Sequence, residues 1–423
     1  MTDPRDAAVK AIAAVDAGKT AQEAIVTSDA CLEGRDRSLL SDLVYGTLRH
    51  RISAQFLLTK VLARPHKLPP TMRIALETAI YSLMHQNKTP DYAAVNETVK
   101  LIKKRFGHSL AKVANGALRS LLRLDLSDPN LFGTGATSMA ISHSLPRSIY
   151  DLWYKAYGEK AAHALLARSC RRPYTGLRIN MQKQAGKRLY TALMETPGSQ
   201  GIARSGIAFG PGQLPGQILG KGLMDWEQQG LLSFQASASM LVLEKLDIPS
   251  DIPLWDACAG VGGKALALLE AGYTVPLASD TSLKRLGRLP EQCRRLGLPL
   301  PKLFLANAAC PPLNKWHGNI LADVPCSGLG VLGRRPDIKS RWNPDEARKL
   351  IELQEHILSS LASLLQPGRE LFYITCTLNP AENDEQIKKL LASCKQLKVM
   401  KTWQTPHEHP WLEGMFVAKI RKD

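Results

Sequence analysis

The sequence predicts an α/β fold: a parallel sheet covered by helices on both faces, preceded by an all-helical domain and a small α/β subdomain. Three observations carry this. From Asp251 onward short apolar strands alternate with helical segments, the pattern that builds such a sheet. Residues 1 to about 125 repeat their apolar positions at helical spacing, with few alternating β-branched runs. Between them, residues 140–250 mix both patterns. The expected domains are therefore 1–130, 140–250 and 251–423.

In the first domain, Ala7 to Ala17 is alanine-rich with apolar residues at helical intervals. Asp36 to Arg49 places Leu39, Leu43 and Leu48 near one face. Pro69 and Pro70 open a segment in which Ile74, Leu76, Ile80, Leu83 and Met84 recur at helical spacing. Asp91 to Lys104 and Ser109 to Leu124 complete a helical bundle. Arg35, Arg37, Arg49, Arg51, Lys100, Lys103, Lys104, Arg105, Arg119 and Arg123 punctuate it. Singly, each reads as part of a solvated helix face; together they also fit an RNA-facing surface.

Asp128 to Ser138, with Pro129, Gly133 and Gly135, reads as a linker. The middle piece carries a helix near Pro146 to Ala167, a strand at Gly176 to Asn180, a Gly/Pro-rich stretch at Gly206 to Gly222 and a helix over Ser233 to Leu246. In the last domain the strand candidates are Ile252 to Asp256, Thr274 to Ser279, Lys302 to Ala306, Ile320 to Asp323 and Leu371 to Thr375. Helices are expected at Lys264 to Ala271, Leu283 to Leu296, Asp345 to Leu365 and Asn383 to Cys394.

Composition narrows the function classes. The chain has 423 residues, 44% of them hydrophobic, as in ordinary globular proteins. Its 55 Lys and Arg against 38 Asp and Glu give a formal charge of +17, which points to a polyanionic partner, nucleic acid before a membrane surface. No apolar run approaches the roughly 20 residues of a spanning helix. The opening Met1-Thr-Asp-Pro-Arg-Asp has no apolar signal region, so a cytoplasmic protein is expected. The eight cysteines (Cys31, Cys170, Cys258, Cys293, Cys310, Cys326, Cys376 and Cys394) form no C-x-x-C pair and no zinc spacing, so no metal site is expected.

Three stretches carry chemistry. Leu321-Ala-Asp323-Val-Pro-Cys326-Ser-Gly-Leu-Gly330-Val-Leu-Gly-Arg334-Arg-Pro-Asp337 leads from a buried strand into a turn. Pro325 cannot donate to a sheet ladder, which puts Cys326 and Gly328 in a loop at the strand's carboxyl end, where open α/β sheets bind ligands. Alone, this stretch reads equally well as a glycine-rich surface turn. The second stretch, Asp256-Ala-Cys258-Ala259-Gly260-Val261-Gly262-Gly263-Lys264, is a glycine turn between a strand and a helix. About twenty residues on, the next strand ends at Asp280, where a carboxylate can bind ribose hydroxyls, so the pair argues for a nucleoside-bearing cofactor. A phosphate-binding P-loop fits less well, because Ala265 stands where Ser or Thr is needed. The third stretch, Leu371 to Asn383, delivers Cys376 to the same sheet edge as Cys326.

A free thiol titrates near 8.5, so a basic neighbour or helix amino terminus is needed to raise its thiolate fraction at neutral pH. Two thiols and a carboxylate beside a cofactor pocket suit methyl transfer to cytosine C5. That carbon is not nucleophilic until a thiolate adds to C6; a second group then helps remove the C5 proton and release the enzyme. A carboxylate at the N3/N4 edge stabilises the adduct and distinguishes cytosine from uracil.

The Gly328 to Asp337 stretch, the glycine turn and the Thr375-Cys376 strand end resemble the RNA 5-methylcytosine methyltransferases. More narrowly, the chain resembles the bacterial branch acting on small-subunit (16S) ribosomal RNA. Asp36-Arg37 with Leu43 to Arg49, and Ala93 to Val99 with Asn115 to Arg119, are similar to the helical NusB-like RNA-binding domain of that branch. The resemblance implies a Rossmann-like S-adenosylmethionine-dependent methyltransferase domain behind a NusB-like domain, acting as a cytoplasmic monomer. It implies Cys376 as nucleophile, Cys326 as the group assisting release and Asp323 at the cytosine edge. Cys258, Ala259, Gly260, Val261, Gly262, Gly263, Lys264, Asp280, Asn307 and Asp323 would form the S-adenosylmethionine site. DNA cytosine methyltransferases use the Pro-Cys thiol and lack the Thr-Cys one, so having both favours RNA.

The sequence departs from the family at three points. Gly260-Val261 stands where Ala-Pro is usual, Asn307 where an acid contacts the adenine amino group, and Gln235-Ala236 where Gln-Asp is common. Weaker cofactor binding is the expected consequence. An RNA-binding ribosome-assembly factor with a decayed cofactor site, or the same chemistry on transfer RNA, are the competing readings.

Overall fold

The computed structural model describes residues 3–28, 32–86, 89–126, 128 and 130–423; Cys31 and Pro129 lie outside the described residues. The chain divides into two compact units, Met1–Arg171 with Leu332–Trp342, and Arg172–Val331 with Asn343–Asp423.

The first unit is helical: α1 (Pro4–Asp16), α2 (Ala21–Ser28), α3 (Gly34–Val61), α4 (Pro70–His85), α5 (Asp91–Leu121), α6 (Gly135–Ser142) and α7 (Arg147–Cys170). α1 starts where the Asp3 carboxylate accepts the Arg5 N–H, with Pro4 in its first turn. The segments expected at Asp91 to Lys104 and Ser109 to Leu124 run as one helical element with a break at Gly107, whose φ is +84°. The expected linker is shorter than read, since α6 begins inside it at Gly135. Ile12, Leu40, Leu43, Leu57, Leu58, Met72 and Leu76 form the core. Glu77 is fully buried and is offset by Arg51 at 2.7 Å and by the Gln55 amide at 2.9 Å.

The second unit opens with β1 (Thr175–Ile179), α8 (Gln184–Met194), β2 (Ser199–Ala203), β3 (Gly206–Phe209), the two-residue strands β4 (Gln217–Ile218) and β5 (Lys221–Gly222), α9 (Leu223–Gln228) and β6 (Leu232–Phe234). These include an antiparallel sheet of order β2-β3-β1-β6. The helix read over Ser233 to Leu246 starts later, as α10 (Ser237–Lys245), because Leu232 to Phe234 pairs with β1. There follow β7 (Leu254–Asp256), α11 (Gly263–Glu270), β8 (Leu277–Asp280), α12 (Leu283–Leu286), α13 (Leu289–Leu296), β9 (Lys302–Leu305) and β10 (Asn319–Asp323). The chain next gives α14 (Asp337–Arg341) to the helical unit, then returns for α15 (Pro344–Leu364), β11 (Glu370–Thr375), α16 (Asp384–Ser393), β12 (Leu397–Gln404) and β13 (Phe416–Lys422).

The large sheet has the order β12-β13-β11-β10-β7-β8-β9. Five strands are parallel, as the alternation predicted. The sheet as a whole is mixed, because β13 runs antiparallel to β11 and β12 antiparallel to β13. Alternate residues face opposite layers: Leu321, Phe372 and Ile374 pack under α10, α11 and α13, whereas Ile320, Ala322, Leu371 and Tyr373 pack with Ile357, Leu361 and Ile387. The order reverses between β7, which leads to β8 and β9, and β10, which leads to β11. Their carboxyl ends form a topological switch point.

Candidate active site

β10 and β11 are adjacent and parallel, with Asp323 opposite Ile374, so the residues that follow each strand leave the sheet side by side. Val324 donates to the Ile374 carbonyl at 3.1 Å and closes the pair. The two loops then meet: the Cys326 and Cys376 sulfurs are 3.2 Å apart, and the Cys376 N–H points at the Cys326 sulfur at 3.3 Å. Gly330 donates to the Cys376 carbonyl at 3.1 Å and accepts from Gly414 at 2.8 Å. A side chain at Gly330 would stand 1.9 Å from the Gly414 carbonyl oxygen, so glycine is required by this close approach.

The two sulfurs are unequal. The hydrogen bond from Cys326 lowers the Cys376 thiol against the opposing effect of burial; Lys264 helps, while Asp323 and Glu382 oppose. The same hydrogen bond, then burial and the nearby negative charges, pushes Cys326 well above the ordinary thiol range. Of the two sulfurs, Cys376 is therefore the one whose ionisation is favoured, with Cys326 as its hydrogen-bond donor.

Lys264, in the first turn of α11, is 8% exposed and forms an ion pair with Asp323. Burial works to lower its ammonium, but Asp323 outweighs that and holds it above the usual range. Asp256, at the end of β7, is buried, and its Oδ1 has no hydrogen-bond partner among the described residues. Burial, with Asp323 adding to it and Lys264 working against it, pushes its carboxyl up to about 7. Cys258 is likewise pushed well above the thiol range, first by burial and then by Asp256.

The glycine turn is shaped by backbone. Gly260 and Gly262 have φ of +58° and +87°. A Cβ at Gly262 would lie 2.5 Å from Leu289, whereas one at Gly260 would meet nothing within 4 Å, which leaves open space over the turn. Asp280 Oδ2 accepts the Gly260 N–H at 2.9 Å and Oδ1 accepts the Ser282 N–H at 2.8 Å; Arg285 adds an ion pair at 2.8 Å. A left-handed glycine turn with open space, a buried carboxylate at the next strand end and an unpartnered Asp256 oxygen fit a nucleoside-bearing cofactor. Val261 is 45% exposed. Asn307 is exposed at the end of β9, and its side chain accepts the Ala309 N–H at 3.0 Å. Gln235 donates to the Gly263 carbonyl at 3.2 Å and accepts from Arg178 at 2.5 Å; Ala236 caps α10.

Thus Cys326 meets Cys376, Lys264 meets Asp323, and Asp280 meets the glycine turn, while no hydrogen bond among the described residues joins the Asn307 side chain to them. The stretch after Val331 departs from the thiol loop. Leu332–Trp342 belongs to the helical unit, where Arg49 donates to the Gly333 carbonyl at 2.9 Å, Lys339 to the Arg49 carbonyl at 3.0 Å and Trp342 to Ser148 at 3.1 Å. Asp337 is fully buried there, with Arg335 at 3.4 Å and Arg341 as partners. Sequence reasoning also gave no role to Glu382, which is fully buried between the two thiol loops. Its only signal was its place six residues after Cys376.

A switch-point site with a glycine turn opening a helix and a carboxylate closing the next strand belongs to a Rossmann-like domain for a nucleoside-bearing cofactor, and with the family match that follows the class is S-adenosylmethionine-dependent methyltransferase. A family model described as "16S rRNA methyltransferase RsmB/F" matches residues 244–420, and one described as "NusB family" matches residues 2–123. The "Probable ribosomal RNA small subunit methyltransferase B" of Bacillus subtilis (strain 168) is 32% identical over 371 residues, covering 84% of this chain and 80% of that protein. The relative of the same name in Synechocystis sp. is 29% identical over 417 residues, covering 92% and 91%. The chain belongs to the ribosomal RNA small subunit methyltransferase B family. In fold it is similar to a solved structure titled "Crystal Structure of PH0851", with a TM-score of 0.78 over 99% of this chain and 98% of that one at 20% identity.

Among the described residues, no group of three or more His, Cys, Asp and Glu is arranged to hold a metal ion, and no helix is long and apolar enough to cross a membrane.

Proposed function

We propose that this methyltransferase forms 5-methylcytosine in small-subunit (16S) ribosomal RNA, in the cytoplasm, through a covalent bond between Cys376 and cytosine C6. The observation that carries the reading is the unequal thiol pair, 3.2 Å apart, in which Cys376 is the sulfur favoured as thiolate. Thiolate is the form that adds to a pyrimidine ring.

Cys376 attacks C6, and the electron pair of the C5–C6 double bond moves through C5 towards N3. Asp323, hydrogen-bonded at the N3/N4 edge, orients the ring. Lys264 holds that carboxylate in place and adds positive charge where the ring gains electrons. S-adenosylmethionine supplies the electrophilic methyl group for C5 when bound. Gly260, Gly262, Gly263 and Asp280 would hold it, with Cys258, Ala259, Val261 and Asn307 around them. The C5 proton then passes to solvent with Cys326 assisting release, the C5–H electron pair restores the C5–C6 double bond as the C6–sulfur bond breaks, and Cys376 leaves as thiolate. A base inside a helix cannot reach both thiols and cofactor, so the target must be turned out of its stack. The NusB-like unit and the +17 charge support backbone-directed, salt-sensitive affinity for the ribosomal RNA.

Bisulfite sequencing of small-subunit ribosomal RNA from cells with and without this gene tests the reading. One protected cytosine should become convertible when the gene is lost. An unchanged protection pattern would overturn it.

A further inference from the structure

The Cys326 and Cys376 loops come from different strands, and their sulfurs meet only if something holds the loops in register. Backbone joins the loops where Gly330 donates to the Cys376 carbonyl, but beside the sulfurs no regular ladder ties them, and most of the ties there converge on one side chain. Glu382 is 0% exposed. One of its oxygens accepts the Ser327 N–H at 2.8 Å and the Gln354 amide at 3.0 Å. The other accepts the Ser327 hydroxyl and the Asn379 amide at 3.0 Å, with the Thr377 hydroxyl at 3.5 Å. Ser327 is next to Cys326 and Thr377 is next to Cys376, and their hydroxyls lie 2.7 Å apart. Gln354 also donates to the Pro325 carbonyl at 2.8 Å, and Tyr373 to the Glu382 carbonyl at 2.7 Å. A carboxylate accepts only, and every group aimed at this one can donate, so the cluster is satisfied by a negative charge.

We propose that Glu382 is a positioning residue that clamps the Cys326 loop to the Cys376 loop and so sets the meeting of the two sulfurs. The proposal rests on the assignment of those thiols to cytosine methylation and goes beyond it. Glu382 touches neither reacting ring nor cofactor; it acts through Ser327 and Thr377. Its charge has a second effect. The charged and titratable groups facing the thiols are Asp323 and Lys264 beyond β10 and α11, Tyr373 on β11, and Glu382 itself. Of these only Lys264 is cationic, and Glu382 opposes ionisation of both sulfurs. The carboxylate therefore disfavours ionisation of both sulfurs, and the hydrogen bond between them decides which is favoured.

The test uses the full chain with Glu382→Ala and Glu382→Gln, and two readouts that need neither RNA nor cofactor. The first is the rate at which the azo oxidant diamide, itself reduced to the hydrazine, joins Cys326 and Cys376 as a disulfide. The second is the pH profile of iodoacetamide alkylation at each thiol, read by peptide mass. Glu382→Ala should slow disulfide closure at least tenfold and lower kcat at least tenfold with cofactor Kd unchanged. Glu382→Gln keeps the size and, with Asn379 flipped, most of the hydrogen bonds. It should close the disulfide within about threefold of the wild-type rate but alkylate at lower pH. A folded Glu382→Ala that closes at the wild-type rate overturns the clamp. If Glu382→Ala does not fold, Ser327→Ala with Thr377→Val, which removes the clamp's hydroxyl contacts to both loops, should slow closure in its place, and closure at the wild-type rate overturns it. A wild-type chain that forms no adduct with cytosine in RNA overturns the functional reading instead, and leaves both readouts standing.

Discussion

Two exits from the same sheet are built differently. At the carboxyl end of β7 the chain turns through Gly260 and Gly262, and Asp280 is held by the backbone N–H groups of Gly260 and Ser282. Shape there is a property of main chain. At the ends of β10 and β11 the turns are instead fixed by side chains converging on Glu382 from Ser327, Gln354, Thr377 and Asn379. The difference matches the tasks. A cofactor site needs close approach and open donors, which bare backbone gives. A pair of thiols with unequal protonation needs fixed charges at fixed distances, which only side chains give.

The sharpest break of this comparison is at the thiol edge. Cys376→Ala should reduce methyl transfer at least a thousandfold, measured with tritiated cofactor and ribosomal RNA, while the folded state survives because the change is small. Asp323 and Lys264 come next. Lys264→Met removes the cation that favours the Cys376 thiolate, so the acid limb of the kcat profile should move to higher pH and turnover should fall about a hundredfold. A profile that keeps its position would separate Lys264 from the nucleophile.

At the backbone-built exit the effect should be smaller and of another kind. Gly262→Ala forces a side chain onto Leu289 in a left-handed conformation, at about 1–3 kcal/mol. Calorimetry should show cofactor binding weakened about tenfold, with the disulfide rate of the thiol pair unchanged. The smallest effect concerns Asp256, which sits under both exits. Its folded-state value, about 7, lies above the ordinary 3.8, so the folded protein keeps a proton that the unfolded chain loses. Stability from this group is complete below about pH 3.8 and is lost as pH rises towards about 7. Asp256→Asn should therefore raise Tm relative to wild type by an amount that grows across that window, and a constant difference would contradict the assignment.

The contrast also explains what was legible in the sequence. Gly260, Gly262 and Asp280 could be read because backbone-built turns leave glycines at fixed intervals after an apolar strand. Cys326 and Cys376 could be placed on one edge because each follows such a strand. Glu382 could not, because its partners lie on three segments and nothing local marks a buried carboxylate. The strands β12 and β13 escaped for a similar reason: β12, at the sheet edge, is interrupted by Lys398 and Lys401, and its pairing is fixed only when β13 folds back across Thr405 to Met415. The separation of Leu332–Trp342 into the helical unit was hidden because Gly333, Lys339 and Trp342 find their partners far away in sequence.

The most direct measurement is peptide mass spectrometry of Cys326→Ala after incubation with cofactor and small-subunit ribosomal RNA, followed by nuclease and protease digestion. The account predicts a methylated cytidine attached to the peptide that contains Cys376. A nucleotide on any other residue, or none at all in a variant that still binds RNA and cofactor, would contradict it.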